Sequence, residues 1–260
     1  MFKKNRKNLV SIITPAYNAE DTIERCIKSV LSQSYKNYEH IVINDCSTDK
    51  TKKKLISFKK KFNLNKLKII NNQTNKGPAK SRIDGLRKSK GSYISFLDAD
   101  DKWNKNKLYL QIKFMQDKNI LFSYTNIIKN FKKKFIFIKM PEKIDYEELL
   151  KTNYIFTSSV MLKRKIFKKV LPKDIYYDDY ALWLDILKKK NTAFLSCKKF
   201  LTIYYVQKLS VSSNKIESLI KVAEVFKAIG YKSKLNRIIL ILKYIFYTIK
   251  RKISENFNYG

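Results

Sequence analysis

Four times in the first hundred residues a short apolar run with strand character gives way to a turn and then to a segment with helical spacing, and this alternation limits the possible folds more than any other feature. Leu9 to Ile13 reads as the first strand; Thr14-Pro15 ends it, and Tyr17-Asn18 lies in the turn that follows. Ile23, Ile27, Val30 and Leu31 then share one helix face, with Asp21 as the expected cap. Tyr38 to Asp45 reads as a second strand, and Ser47-Thr48-Asp49 as the cap of a Lys-rich helix over 50–61. Leu67 to Ile70 is a third strand, Asn75-Lys-Gly77-Pro78 a turn, 79–89 a helix, and Tyr93 to Leu97 a fourth strand. The pattern predicts an α/β chain with a mostly parallel, Rossmann-like sheet flanked by helices. Its crossovers should be right-handed, and its ligands should lie at the carboxyl ends of the strands.

Two of those strand ends carry acid. Asp45 closes the second strand, and Asp98-Ala-Asp100-Asp101 follows the fourth directly. Three carboxylates beside a core are costly. A hard divalent cation would justify them, because it takes carboxylate oxygens. The competing reading is a cap for a helix beginning near Lys105.

The ordered set Val10-Ser-Ile-Ile-Thr-Pro-Ala-Tyr-Asn18, Ser29-Val-Leu-Ser-Gln-Ser34, Ile43-Asn-Asp-Cys-Ser-Thr-Asp49, Asn75-Lys-Gly77, Ser81-Arg82 and Asp98-Ala-Asp-Asp101 resembles glycosyltransferase family 2, which has the GT-A fold. The resemblance is dense over residues 9–103 and looser to about 215. It implies an inverting enzyme that uses a nucleotide-diphosphate sugar and a divalent metal, Mn²⁺ or Mg²⁺. On that reading Thr14, Pro15, Tyr17, Asn18, Asp45, Gly77, Arg82 and Asp98 bind the donor. Tyr17 offers an aromatic face to the base, and Asp45 accepts from a base N–H. Arg82 pairs with a phosphate oxygen. Asp98 meets the ribose or a metal-bound water, and Asp100 holds the metal. Ile83 departs from the family, which often has Asn there.

The second half is expected to hold the acceptor. Tyr154 to Leu162 resembles the segment beneath the donor sugar, with Thr157 and Ser158 supplying hydroxyls; an ordinary strand with a polar entry is the other reading. Tyr176-Tyr-Asp-Asp-Tyr-Ala-Leu-Trp-Leu184 resembles the family's acidic pair, which makes Asp179 the base that takes the acceptor's proton and Asp178 its acidic neighbour. Both would also suit a helix amino terminus. Trp183 stacks on sugar or packs. Near Tyr204-Tyr-Val-Gln207 relatives carry an Arg and a His on a loop over the diphosphate, and this chain has Tyr205 and Gln207 instead.

The expected division is a donor half over 1–128, an acceptor and base half over 129–215, and a helical tail over 216–260. Residues 129–143, with Lys132-Lys-Lys134 and Pro141, should form a hairpin or loop between the halves. The single histidine, His40, sits inside a strand and excludes histidine-based metal binding or a histidine triad. Three cysteines, in no metal spacing, argue against a disulfide scaffold and for a reducing compartment. The basic amino terminus leads into a stretch needed as the first strand, so it does not read as a signal peptide.

The formal charge of +34 favours anionic partners. No helix-turn-helix, zinc finger or RNA-binding aromatic strand is present to read nucleic acid. From Arg237 to Lys250 the only intervening charge is Lys243. At about 1.5 Å per residue this stretch is shorter than a roughly 30 Å hydrocarbon core, so it suits a helix lying in an anionic membrane interface, or one docked on the domain. Together these features predict a cytoplasmic enzyme, peripheral at the inner face of the cell membrane. It would transfer sugar from a UDP-linked donor to a lipid-linked glycan of a bacterial surface polysaccharide. A nucleotidyltransferase on a related α/β fold and a non-catalytic basic binding module are the alternatives.

Overall fold

The computed structural model describes residues 8–257 apart from 63, 132–133, 169, 190 and 207–214. Its first half is the expected alternation: β1 (Val10–Ala16), α1 (Ile23–Leu31), β2 (Tyr38–Asn44), α2 (Thr51–Lys61), β3 (Leu67–Asn71), α3 (Gly77–Lys88) and β4 (Tyr93–Phe96). The rest comprises β5 (Lys102–Trp103), α4 (Lys107–Asp117), β6 (Phe122–Phe131), β7 (Lys134–Ile138), β8 (Lys143–Ile144), α5 (Tyr146–Lys151), β9 (Met161–Lys163), α6 (Asp178–Leu187), β10 (Ala193–Tyr205), α7 (Lys215–Ala228) and α8 (Lys234–Phe257).

All form one sheet in the order β3-β2-β1-β4-β9-β6-β10-β5, with β7 on β6 and β8 on β10. β1 pairs in parallel with both β2 and β4. That order places a topological switch between β1 and β4, and the crevice opens at their carboxyl ends. Helices cover both faces of this half, which is why β1 and β2 read as continuous apolar runs and not as an alternation. α3 lies close on the sheet: a Cβ at Gly85 would stand 2.4 Å from Ile13 Cγ2, so only glycine fits.

Antiparallel β9 joins the halves, pairing with β4 on one side and β6 on the other. Of the two readings of Tyr154 to Leu162, the ordinary strand with a polar entry does not form as such: a 3₁₀ turn over Thr157–Ser159 precedes short β9. Residues 129–143 do contain a hairpin, β6 against β7. Two capping expectations change. Thr22, not Asp21, precedes α1. Asp49 accepts from the Thr51 N–H at 2.9 Å from two positions ahead of Thr51, which begins α2, so that Lys50 directly precedes the helix. The Asp98–Asp101 group caps nothing, since Asn106 precedes α4.

Trp183 resolves its two readings by packing. It is fully buried, its ring centroid 5.2 Å from Phe122 and 6.1 Å from Phe96. An indole in such a place contributes apolar burial on the scale of 150–250 Å², roughly, and is not free to stack on a sugar. His40 is also buried; its Nε2 lies 2.9 Å from Thr14 Oγ1, and burial lowers its pKa to about 3.

Candidate active site

Two adjoining cavities open at the carboxyl ends of β1 and β4. The donor-side cavity, about 740 Å³, is lined by Pro15, Tyr17, Asn18, Asp21, Asp45, Asn75 and Asp100, among others. The acceptor-side cavity, about 650 Å³, is lined by Asn153, Phe156, Thr157, Ser158, Asp178 and Asp179, among others. Both are bordered by Gly77, Pro78, Arg82, Asp98, Tyr176 and Tyr204.

The donor side is built by crossing two loops. Asn18 adopts φ +46°, and its Oδ1 accepts from the Thr48 N–H at 2.9 Å, tying the end of β1 to the end of β2. The Tyr17 side chain is left half exposed above the cavity. Thr14, by contrast, is fully buried and its hydroxyl faces His40, so the side chain itself offers nothing to a donor. Asp45 accepts from Asn72 Nδ2 at 2.6 Å, from the Gly77 N–H at 2.8 Å and from the Lys76 N–H at 3.1 Å. It therefore fixes the turn that starts α3. Gly77 has φ +81° in that turn, a conformation glycine adopts at no steric cost.

Arg82 is not placed as expected. Its guanidinium is buried, with Nη1 2.7 and 2.8 Å from the two carboxylate oxygens of Asp178 and Nη2 2.9 Å from Asp98 Oδ1. It clamps the Asp98 motif to the acidic pair through Nη1 and Nη2, while the buried Nε has no partner among the described residues and the side chain still lines both cavities. Burial disfavours its charge, but Asp178, Asp98 and Asp179 outweigh that and hold it protonated. Burial likewise pushes the Asp178 carboxyl up to about 6 against the pull of Arg82.

This clamp separates the two aspartates of the pair. Asp178 is buried with both oxygens on Arg82. Asp179 is half-buried; Oδ2 accepts from Thr157 Oγ1 at 2.6 Å, and Oδ1 from the Tyr180 N–H at 2.7 Å. Burial raises its pKa, with Arg82 opposing. Only Asp179 combines a strong orienting contact with exposure to the cavity.

The Thr157 and Ser158 hydroxyls line the cavity but are spent on carboxylates. Ser158 Oγ donates to Asp101 Oδ2 at 2.5 Å and accepts from the Asp98 N–H at 3.1 Å. Asp101, absent from the sequence expectation as a site residue, is the hub of this region. It is fully buried, and its Oδ1 accepts from the Tyr205 N–H at 3.1 Å. Burial, then Asp100 and Asp98, raise its pKa well above the ordinary range. Tyr205 in turn stacks under Arg25, whose Cζ lies 3.7 Å from the ring centroid and whose Nη2 donates to the Asp100 carbonyl at 2.6 Å. The departure at Tyr205 thus has a structural use: it fixes the end of β10 to the acidic motif. Gln207 lies outside the described residues. Behind the 3₁₀ turn, buried Lys107 donates to Gln111 Oε1 at 2.6 Å, and Gln111 Nε2 donates to the Ser159 carbonyl at 3.1 Å. Nothing in the sequence marked Arg25, because its partners Asp100 and Tyr205 are distant in the chain.

Among the described residues, no three His, Cys, Asp or Glu side chains converge closely enough to hold a metal alone. Asp100 nonetheless presents a hard oxygen donor at the donor cavity. That suits an ion held by one or two carboxylates and completed by substrate phosphates.

An α/β sheet with an acidic motif at its switch point and a second acidic pair across a shared cleft defines a group-transfer site. The profile of glycosyl transferase family 2 matches residues 11–171, and the chain belongs to that family. It is thus a glycosyltransferase, and its GT-A architecture is shared with solved structures. TarS 1-349 from S. aureus in complex with UDP-GlcNAc aligns with TM-score 0.70 at 18% identity, over 93% of this chain and 72% of that one. A mannosyltransferase from Pyrobaculum calidifontis in complex with GDP-Man and Mn2+ aligns with TM-score 0.70 at 16% identity, over 95% and 72%. Among curated relatives, the Escherichia coli UDP-Glc:alpha-D-GlcNAc-diphosphoundecaprenol beta-1,3-glucosyltransferase WfaP is 40% identical over 257 residues, covering 96% of this chain and 97% of its own length. WfgD, of the same described activity and organism, is 38% identical over 94% of each chain. The putative teichuronic acid biosynthesis glycosyltransferase TuaG of Bacillus subtilis is 36% identical over 86% and 90%. Family membership sets aside the nucleotidyltransferase and binding-module readings.

Proposed function

We propose that this chain transfers a sugar, with inversion, from a UDP-linked donor to a lipid-diphosphate-linked glycan during bacterial surface polysaccharide synthesis. The observation that supports this is the shared cleft, with the Asp98–Asp100 motif and Asp179, oriented by Thr157 and the Tyr180 N–H, on two sides of one opening. Two relatives alike along nearly their whole length carry UDP-Glc and alpha-D-GlcNAc-diphosphoundecaprenol in their names.

In this reading Asp179 accepts the proton of the acceptor hydroxyl as its oxygen bonds to the anomeric carbon. The bond from that carbon to the diphosphate oxygen breaks on the opposite face, and the nucleoside diphosphate leaves. Thr157 holds the Asp179 carboxylate in position, and Arg82 keeps Asp178 from competing for the proton. Tyr17 and Asn18 shape the base side of the cleft, and Asp45 organises the turn around the nucleotide. Asp98 and Asp100 face the diphosphate, and Asp100 would hold a Mn²⁺ or Mg²⁺ ion. When bound, such an ion neutralises charge on the leaving group. In this reading residues 1–128 serve the donor, 129–215 the acceptor and base, and 216–260 attachment.

The attachment reading rests on α8. Its Leu240, Ile241 and Tyr244 pack into the main core, while Leu235, Ile238, Leu242, Phe246, Ile249 and Ile253 are exposed. At about 100° per residue these are opposite faces. Docking and interface exposure therefore coexist on one helix. No helix among the described residues is long and apolar enough to cross a membrane. An apolar stripe bordered by Lys243 and Lys250 suits an anionic bilayer surface at the inner, cytoplasmic face of the cell membrane.

A donor screen tests the whole reading. The purified chain, given a GlcNAc-diphospho-lipid and a panel of nucleotide sugars, should release UDP only with the right sugar and with Mn²⁺ or Mg²⁺. Asp100→Asn should abolish that release. Full release in excess chelator would remove the metal, and release of GDP but never UDP would remove the donor assignment.

A further inference from the structure

Whatever group is transferred must pass through the opening that the donor-side and acceptor-side cavities share. Few side chains at that opening are available to hold it. Gly77 and Pro78 offer no side-chain donor. The Arg82 guanidinium is spent on Asp178 and Asp98, and one Asp98 oxygen is spent on Arg82. The second Asp98 oxygen can only accept, so the hydroxyls left to donate there are those of two tyrosines. Tyr176 is about half exposed at the rim, with Lys221 Nζ 3.6 Å from its ring centroid.

Tyr204 is set differently. Successive side chains of a strand point to opposite faces. Tyr205 lies against Arg25, so Tyr204 faces the other way, into the cleft. Its ring is held edge-on by Phe156, with centroids 5.4 Å apart. Its hydroxyl makes no hydrogen bond to protein among the described residues, while Asp101, Asp100, Asp98 and Asp179 all bear on it electrostatically. Burial first, and those carboxylates next, raise the phenol's pKa, so it stays protonated and is a donor. An aromatic face with one fixed O–H at its edge is a common means of holding a sugar ring, which is apolar on one face and hydroxylated at its rim.

We propose that the Tyr204 hydroxyl donates a hydrogen bond to a hydroxyl oxygen of the transferred sugar, making Tyr204 a donor-sugar contact at the point of transfer. This rests on the UDP-sugar transferase reading above. It adds a residue to that site, at the position just before Tyr205 and Gln207, where relatives place charged loop residues.

Calorimetry of the full-length chain with UDP, UDP-glucose and UDP-N-acetylglucosamine, in Mg²⁺ buffer, tests it against Tyr204→Phe. The substitution keeps the ring and its Phe156 contact, and an unchanged melting temperature confirms the fold. Losing one neutral hydrogen bond predicts about 3- to 10-fold weaker binding of whichever UDP-sugar the wild type prefers, with UDP binding unchanged. Equal affinity of wild type and variant for that sugar nucleotide overturns the proposal, as does an equal loss for UDP alone, which would place the contact on the nucleotide. A wild type that binds none of the three removes the donor reading itself and the proposal with it. A wild type that binds UDP but is indifferent to Tyr204→Phe leaves the donor reading standing and rejects only the proposal.

Discussion

At the scale of single residues the site is a set of carboxylates kept apart by one arginine. On the proposed reading Arg82 neutralises Asp178, and the proton-accepting role falls to Asp179. Asp179→Asn should leave UDP binding intact and lower transfer by about 100-fold or more, read as UDP release with acceptor present. The same loss from Asp178→Asn alone, with Asp179→Asn active, would reverse the assignment. Because burial raises the Asp179 pKa, its ionised, base-competent form is lost at higher pH than for a free carboxylate near 3.8. Activity should therefore fall on acidification along a limb lying above that value, and a pH profile of kcat checks it. The clamp also bears on stability. Arg82→Ala would strand a buried Asp178 charge at an expected cost of about 3–5 kcal/mol, measured as a shift in the urea midpoint. A cost below about 1 kcal/mol would mean that water or Asp178 protonation replaces the guanidinium easily.

Elements carry the next level of organisation. β9 is only three residues long, yet it joins the parallel donor half to the mixed acceptor half. The turn before it brings Ser158 to Asp98 and Asp101, and Thr157 to Asp179. α8 serves two surfaces. Deleting it would expose the apolar surface that Leu240, Ile241 and Tyr244 cover, so loss of membrane binding on truncation would be ambiguous. Charge reversal of the outer stripe avoids that. Phe246→Glu with Ile249→Glu should release the protein from anionic vesicles in a sedimentation assay, at an unchanged melting temperature. Undiminished sedimentation would show that this face does not meet lipid.

For the molecule as a whole, the charge of +34 predicts how attachment responds to salt. Exposed charges act over a Debye length of about 10 Å at 0.1 M salt and about 3 Å at 1 M. Binding to phosphatidylglycerol vesicles should weaken steeply over that range, while binding to neutral vesicles should be weak throughout. Salt-independent binding would assign attachment to the apolar stripe alone.

Local signals made the first half legible in the sequence. Continuous β-branched runs and the Asn75–Gly77 turn each lie within a few residues of what they specify, so β1 to β4 and their helices follow from period and propensity; Thr14-Pro15 does not end the first strand as expected, because β1 continues in register with β2 through Pro15 to Ala16. The acidic motif was legible too, because carboxylates at a strand end beside a core are costly unless something uses them, and the acidic pair was legible through its resemblance to the family's motif. The partners of those groups were not legible. Arg82 lies 96 positions from Asp178, Arg25 lies 75 from Asp100, and Asp101 lies 104 from Tyr205. Thr14, Trp183 and the Thr157 and Ser158 hydroxyls had the right chemistry for a ligand, yet the fold spends them on His40, the Phe96 and Phe122 rings, and the carboxylates. Hydrogen bonds and burial depend on distance in space, and only the folded sheet brings those partners within hydrogen-bonding reach.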